Sequence, residues 1–185
     1  LAKIASDLRL LSSGPRAGIG ELLLPELQAG SSIMPGKVNP VIPEAVSQVA
    51  FQVMANDQAI TLASSQGQLE LNAFIPLVAH ALFQSFDLLR QAAMHLGQRC
   101  IRGMKADVAR CSALLEASLA TVTALSPYIG YEAASELARE ALRTGRSVRE
   151  IAIVHGVFTG EQADRVLSAT ELTRPGIAGL DDMES

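Results

Sequence analysis

The sequence predicts an all-α fold in which long helices come first and a smaller helical domain follows. Three observations carry this expectation. Apolar residues recur at helical spacing through most of the first hundred residues, no segment keeps the alternation of a half-buried strand, and two later segments carry helix-start signals of the capping-box kind.

The first helix is read from Leu1, Ile4, Ala5, Leu8 and Leu11, an i, i+3, i+4 stripe that begins at the first residue without an N-cap or initiator Met. The chain is therefore expected to begin within a helix, as the carboxy-terminal piece of a longer protein. Ser12-Ser13-Gly14-Pro15 stops the pattern, and Gly18, Gly20, Pro25, Gly30, Pro35 and Gly36 predict a long loop. Loops of this length in compact proteins are functional or disordered; Ile19, Leu22, Leu23, Leu24 and Leu27 are expected to pin this one to a core. A long helix is expected from about Pro43 to Ser65, with Val46, Val49, Ala50, Val53 and Met54 on one face. Either Asn39-Pro40 or Ile42-Pro43 suits its start. After a break near Gly67 another helix reaches roughly Gly103, and Pro76 is expected to kink or shift its first turns. Both helices are apolar over more of their circumference than a solitary surface helix requires, which predicts cover by packing between subunits.

Beyond Gly103 the segments shorten. A helix is expected from Asp107 to Leu125 and another from about Tyr131 to Arg143, stopped by Gly145. Ser147-Val-Arg-Glu150 and Thr159-Gly-Glu-Gln162 place a hydroxyl three residues before a carboxylate or amide, the capping-box arrangement, and predict two more short helices. The tail from Leu172 is expected to be loosely ordered at its acidic end. The division this predicts is residues 1–104, including the loop 30–40, followed by residues 105–185.

Composition removes several function classes. Charged residues make up 18% and hydrophobic residues 49% of the 185, an aliphatic globular balance with no Trp. A formal charge of −4 and the absence of any Lys/Arg cluster remove the usual attraction to nucleic acid and acidic membranes. No apolar run approaches the roughly 20 residues that span a bilayer, and no basic segment leads into a short apolar core, so a cytoplasmic protein is expected. Cys100 and Cys111 lack metal-site spacing and are expected to be reduced structural thiols.

Polar chemistry is densest in Gly30-Ser31-Ser32-Ile33-Met34-Pro35-Gly36-Lys37-Val38-Asn39-Pro40, a loop leading into a helix N-terminus. Two hydroxyls, an ammonium, a carboxamide and helix-terminal N–H groups are all donors and suit carboxylate oxygens. On spacing alone the same run reads as an ordinary Gly/Ser/Pro connection with Lys37 solvated and Asn39 capping the helix; it has no P-loop pattern.

This eleven-residue run resembles the signature loop of the aspartase/fumarase superfamily. The likeness extends to Leu11-Ser-Ser-Gly-Pro-Arg-Ala-Gly18, Gly67-Gln-Leu-Glu-Leu-Asn72 and Gly130-Tyr-Glu-Ala-Ala134. It implies a multi-helix bundle, of which residues 1–104 are the carboxy-terminal part, followed by a small helical domain. It also implies a homotetramer with active sites assembled from several subunits, and a reaction that releases fumarate by elimination. By the resemblance Ser31 is the general base, Ser32, Lys37 and Asn39 hold the substrate, and Glu44 pairs with an active-site histidine from outside this chain. From the residues alone, Glu44 in a first helical turn needs no role beyond the dipole. Core or surface placement is expected for His80, His95 and His155, turn closure for Arg16, structural contacts for Glu70 and Asn72, and gap filling for Met34 and Met54. No organic cofactor is implied. Some members respond to divalent metal ions or to substrate at a separate site, but no residue here locates one.

The signature loop does not distinguish loss of ammonia from L-aspartate and loss of water from L-malate. Pro25-Glu-Leu-Gln-Ala29, Val41-Ile-Pro-Glu44, Gln68-Leu69, Ser147-Val-Arg-Glu150 and Thr173-Arg-Pro-Gly-Ile-Ala-Gly179 resemble the ammonia-lyase branch, whereas class II fumarases usually show a Thr-Gln pair after the signature and Asn-Phe in place of Gln68-Leu69; loss of ammonia is expected, with class II fumarate hydratase as the alternative. A non-catalytic helical assembly protein is the third reading, and retention of Ser31, Lys37 and Asn39 speaks against it. The chain on its own is expected to be inactive.

Overall fold

The computed structural model describes residues 1–28 and 30–179 and divides them into two compact units, Leu1–Asp107 and the remainder from Val108. Nearly all regular structure is helical, as the spacing requires. The expectation of a loosely ordered acidic end falls on residues 180–185, outside the described residues.

The first unit opens with α1 (Ala2–Leu11), whose Ala5 and Leu8 are buried one turn apart. Among its described residues, the long loop after it contains only a two-residue strand, β1 (Leu22–Leu23), paired antiparallel with β2 (Lys105–Ala106), Leu22 opposite Ala106. Two helices dominate the unit, α2 (Val41–Ser65) and α3 (Ile75–His95). One core joins Ala5 and Leu8 of α1, Val46 of α2 and Ala92 of α3 to Leu96 and Cys100, with Leu22, Leu24, Ile42, Val49 and Met104 packed against it. Burial pushes the Cys100 thiol up from its ordinary value, so it stays protonated; neither cysteine forms a disulfide.

Leu22 and Leu24 pin the loop, but Leu23 and Leu27 stand exposed. Strand geometry turns neighbouring side chains to opposite faces, so only alternate leucines reach the core. α2 starts at Val41, with Pro40 at the N-cap position and no side-chain cap, so the start lies beside Asn39-Pro40 but Asn39 does not cap the helix; Pro43 is buried in the first turn. Pro76 causes no kink, because it occupies the first helical positions, where no backbone N–H is required. The change of register lies at the opposite end, where α3 passes into a π-helical turn (Leu96–Cys100) and a 3₁₀ turn (Ile101–Gly103). Met34 and Met54 fill no gap; both are more than half exposed. Exposed with them are Phe51 and Leu62 of α2 and Phe83 and Phe86 of α3, the outer faces that the spacing marked as unusually apolar.

The second unit begins with α4 (Val108–Ala117), which ends eight residues earlier than expected because Ser118 caps a separate 3₁₀ turn, Leu119–Ala124, accepting from the Ala120 N–H. Then follow α5 (Ser126–Ile129), α6 (Tyr131–Thr144), α7 (Val148–Val154), α8 (Gly160–Val166) and α9 (Ala169–Leu172). Gly145 closes α6 at φ 69°, the left-handed conformation that made a glycine there a stop signal. Both capping boxes form: Ser147 with Glu150 starts α7, and Thr159 with Gln162 starts α8. These caps aim the short helices at one core of Leu125, Leu137, Ala141, Val148, Ile151, Ala152, Phe158, Ala163 and Val166. Tyr128 sets its ring edge-on to Phe158, centroids 5.1 Å apart, and its hydroxyl donates to the Ala178 carbonyl. His155, at the end of α7, places Nε2 2.8 Å from Oε2 of Glu140 on α6. Among the described residues no helix is long and apolar enough to cross a membrane.

Candidate active-site loop

The loop from Gly30 to Asn39 folds back on itself before α2 begins. Gly30 N–H donates to the Lys37 carbonyl at 2.8 Å, and Lys37 N–H donates to the Met34 carbonyl at 3.3 Å. Asn39 fastens the base of this ring: its Nδ2 donates to the Gly30 carbonyl at 3.0 Å. The ring is tight enough to demand glycine at position 30. A Cβ there would lie 2.4 Å from the Lys37 carbonyl oxygen. At the tip, Gly36 takes φ 77°, where side chains are strained.

Within the ring the Ser31 Oγ accepts two backbone hydrogen bonds, from Ile33 N–H at 3.1 Å and Met34 N–H at 3.3 Å. A hydroxyl oxygen receiving two donors is an oxygen whose negative form is favoured, because a hydrogen bond to the charged state stabilises it. Sequence spacing pointed to the loop's N–H groups in general; the fold identifies which two. They come from the residues immediately following because the chain turns sharply at Ser31, a local turn driven by a serine side chain.

Ser31 and Lys37 face a common open concavity of about 500 Å³, lined also by Glu26, Leu27, Gln28, Gly36 and Val38. Ser32, Asn39 and Glu44 are not among its lining residues. Ser32 is exposed, Asn39 is turned to the Gly30 carbonyl, and Glu44 is half-buried in the first turn of α2. Asn39 is thus a clasp of the loop, with one N–H of its carboxamide engaged and the second still a donor. No spacing or motif pointed to Glu26 in this concavity, since its place there depends on how the loop folds back. The helix end is poorer in donors than a free N-terminus: Val41 N–H bonds the Asn39 carbonyl, Pro43 has none, and Glu44 N–H bonds the Pro40 carbonyl. The donors of this site come from the loop.

The other residues singled out have structural surroundings. Asn72 donates to the Ala63 carbonyl at 2.9 Å and accepts from Phe74 N–H at 2.8 Å, joining the end of α2 to the start of α3. Arg16, Glu70 and His80 are exposed. His95 has a buried Nδ1 with no hydrogen-bond partner. No group of three or more His, Cys, Asp or Glu side chains that could hold a metal ion occurs among the described residues.

Comparison with known proteins agrees with the loop's character. Residues 1–55 match the family model described as Lyase, and residues 122–174 match that described as Fumarase C C-terminus. An aspartate ammonia-lyase from a Bacillus species is 50% identical over 179 residues, covering 97% of this chain and 38% of its own length. Among solved structures, a fumarate lyase:delta crystallin from Brucella melitensis, bound to cobalt, superposes with a TM-score of 0.85 at 49% identity over 94% of this chain and 38% of its own. A class II fumarase from Schistosoma mansoni gives a TM-score of 0.85 at 37% identity, over 94% of this chain and 36% of its own. The chain therefore spans about 38% of the length of the curated relative. From the signature loop at one end of α2 to the small helical unit, the chain belongs to the aspartase/fumarase superfamily.

Proposed function

We propose that this chain is part of an aspartate ammonia-lyase, which removes ammonia from L-aspartate to give fumarate with Ser31 as general base. The observation that carries the reading is the Ser31 Oγ, which accepts from Ile33 and Met34 N–H in a concavity that Lys37 also lines. The proton to be removed lies next to a carboxylate and is very weakly acidic, so a base must be held as its anion and the charge that develops on the carboxylate must meet preplaced donors. Two backbone N–H groups serve the first need. Lys37, Ser32 and the second N–H of Asn39 serve the other.

In the proposed step, Ser31 takes the proton from the carbon beside one carboxylate. The electron pair enters that carboxylate as an enediolate and then forms the double bond as the C–N bond breaks and ammonia leaves. No organic cofactor takes part. Glu44 is assigned to orient a histidine supplied from outside this chain. The protein is read as a cytoplasmic homotetramer whose sites draw on several subunits, with residues 1–104 completing a helical bundle and residues 105–185 forming its small carboxy-terminal domain.

Malate is the competing substrate, since the same loop would serve loss of water. The 50% identity to an ammonia-lyase, against 37% to a class II fumarase, supports aspartate. The test is fumarate formation by the complete protein with L-aspartate and L-malate in parallel, alongside Ser31→Ala. Turnover of malate alone would replace the assignment, and undiminished turnover by Ser31→Ala would remove Ser31 from its role.

A further inference from the structure

Most of the side chains that α2 and α3 bury are small. Ser47, Ala50 and Ala63 are buried on α2, and Ala81, Ser85 and Ala92 on α3. Small residues make shallow ridges, so registers one helical turn apart, about 5.4 Å, bury similar areas. Apolar packing of this kind selects a register weakly.

In the middle of this surface is Asn56, only 8% exposed. Its Nδ2 donates to Gln84 Oε1 at 2.9 Å and to Ser85 Oγ at 3.0 Å, and lies 3.3 Å from the Ala81 carbonyl. Its Oδ1 accepts from Gln52 Nε2 at 3.0 Å. The Ser85 hydroxyl is itself committed, donating to the Ala81 carbonyl at 2.7 Å. Every partner on α3 lies within one turn, Ala81 to Ser85. Displacing α2 by a turn would leave the carboxamide buried opposite groups that cannot receive it, with its full desolvation penalty.

We infer that Asn56 is a positioning residue: its hydrogen bonds single out one register of α2 against α3 and thereby fix where α2 holds the Gly30–Asn39 loop. The link is direct along the chain, since α2 begins two residues after Asn39. A buried polar group that selects one alignment of two helices is a known use of such residues in helical assemblies. The inference rests on the loop being the site of elimination, and its test is arranged to separate the two claims.

The variant is Asn56→Leu in the complete protein. It leaves no orphan behind, because Gln52 and Gln84 are exposed and can turn to water, while Ser85 keeps its bond to Ala81. Replacing a satisfied buried polar group by an apolar one of similar size is commonly neutral or stabilising, so the melting temperature is expected to hold or rise. Amide exchange in residues 46–60 and 80–92 is expected to quicken by about tenfold as other registers are sampled. The kcat on L-aspartate is expected to fall by about tenfold or more, as a misplaced reacting group requires. Its pH dependence should be retained, because the two N–H contacts to Ser31 are internal to the loop. A lowered melting temperature with kcat unchanged would mark Asn56 as merely structural and overturn the inference; so would unchanged exchange with kcat within about twofold. If exchange quickens while the parent protein makes no fumarate from L-aspartate, the register lock stands and the lyase reading falls.

Discussion

Adding one methyl group to Gly30 tests the loop geometry at its tightest point. In Gly30→Ala the new Cβ would lie 2.4 Å from the Lys37 carbonyl oxygen and 2.7 Å from its carbon, about 1 Å inside ordinary contact. Both are backbone atoms, so the clash is not relieved by rotating a side chain. The two arms of the loop must part by about that amount, which takes the 2.8 Å Gly30–Lys37 bond beyond hydrogen-bonding range and pulls on the 3.0 Å clasp from Asn39. Loss of one such bond costs the loop about 1 kcal/mol. The catalytic effect is larger, because displacing reacting groups by 1 Å can cost about 100-fold in rate. Gly30→Ala in the complete protein is therefore expected to lower kcat on L-aspartate about 100-fold, followed by fumarate absorbance, with the melting temperature unchanged because the loop is outside the buried core. Gly36→Ala is the control. A Cβ there meets nothing within 4 Å, and the change carries only the roughly 1–2 kcal/mol of a side chain at positive φ. A Gly30→Ala protein within about threefold of the parent would refute the reasoning, as would Gly36→Ala proving the more damaging.

Two further outcomes concern the small unit. Phe158 is 4% exposed at the centre of its core, so Phe158→Ala is expected to lower the local opening free energy of α6 to α8 by about 3–5 kcal/mol, read by amide exchange; a change under about 1 kcal/mol would contradict the core assignment. Tyr128 has its hydroxyl held above its ordinary value by burial and by the nearby Glu171 carboxylate. A raised folded-state value means that the stabilisation is complete below the unfolded tyrosine value, near pH 10, and is lost as pH climbs through the higher folded value. Amides of this unit should accordingly lose protection above about pH 10 in the parent and much less so in Tyr128→Phe; equal losses would remove Tyr128 as the cause.

Much of the fold was legible because its determinants are local. Each capping box lies within four residues, and the glycine that ends α6 is required by a backbone conformation at that residue alone. What was not legible depended on residues distant in sequence or on one extra residue of helical register. The π-helical turn at Leu96–Cys100 follows α3 without any proline, and Pro76, the visible breaker, lies where a helix tolerates it. Leu23 and Leu27 share the composition of their buried neighbours, and only the loop's path turns them outward. In the site, Ser31 and Lys37 were readable as donors near an anion. That Asn39 would spend one N–H on Gly30, and that Glu26 would share the concavity, followed from the loop closing across seven residues, which no spacing rule encodes.

The measurement that tests the central claim most directly is fumarate production from L-aspartate by the complete protein and its Ser31→Ala variant at matched protein concentration. The expected result is steady fumarate release by the parent, none from L-malate, and loss of turnover in Ser31→Ala with its melting temperature intact. Equal turnover by both proteins would contradict the account of the loop, and release of fumarate from L-malate but not from L-aspartate would contradict the assignment of the reaction.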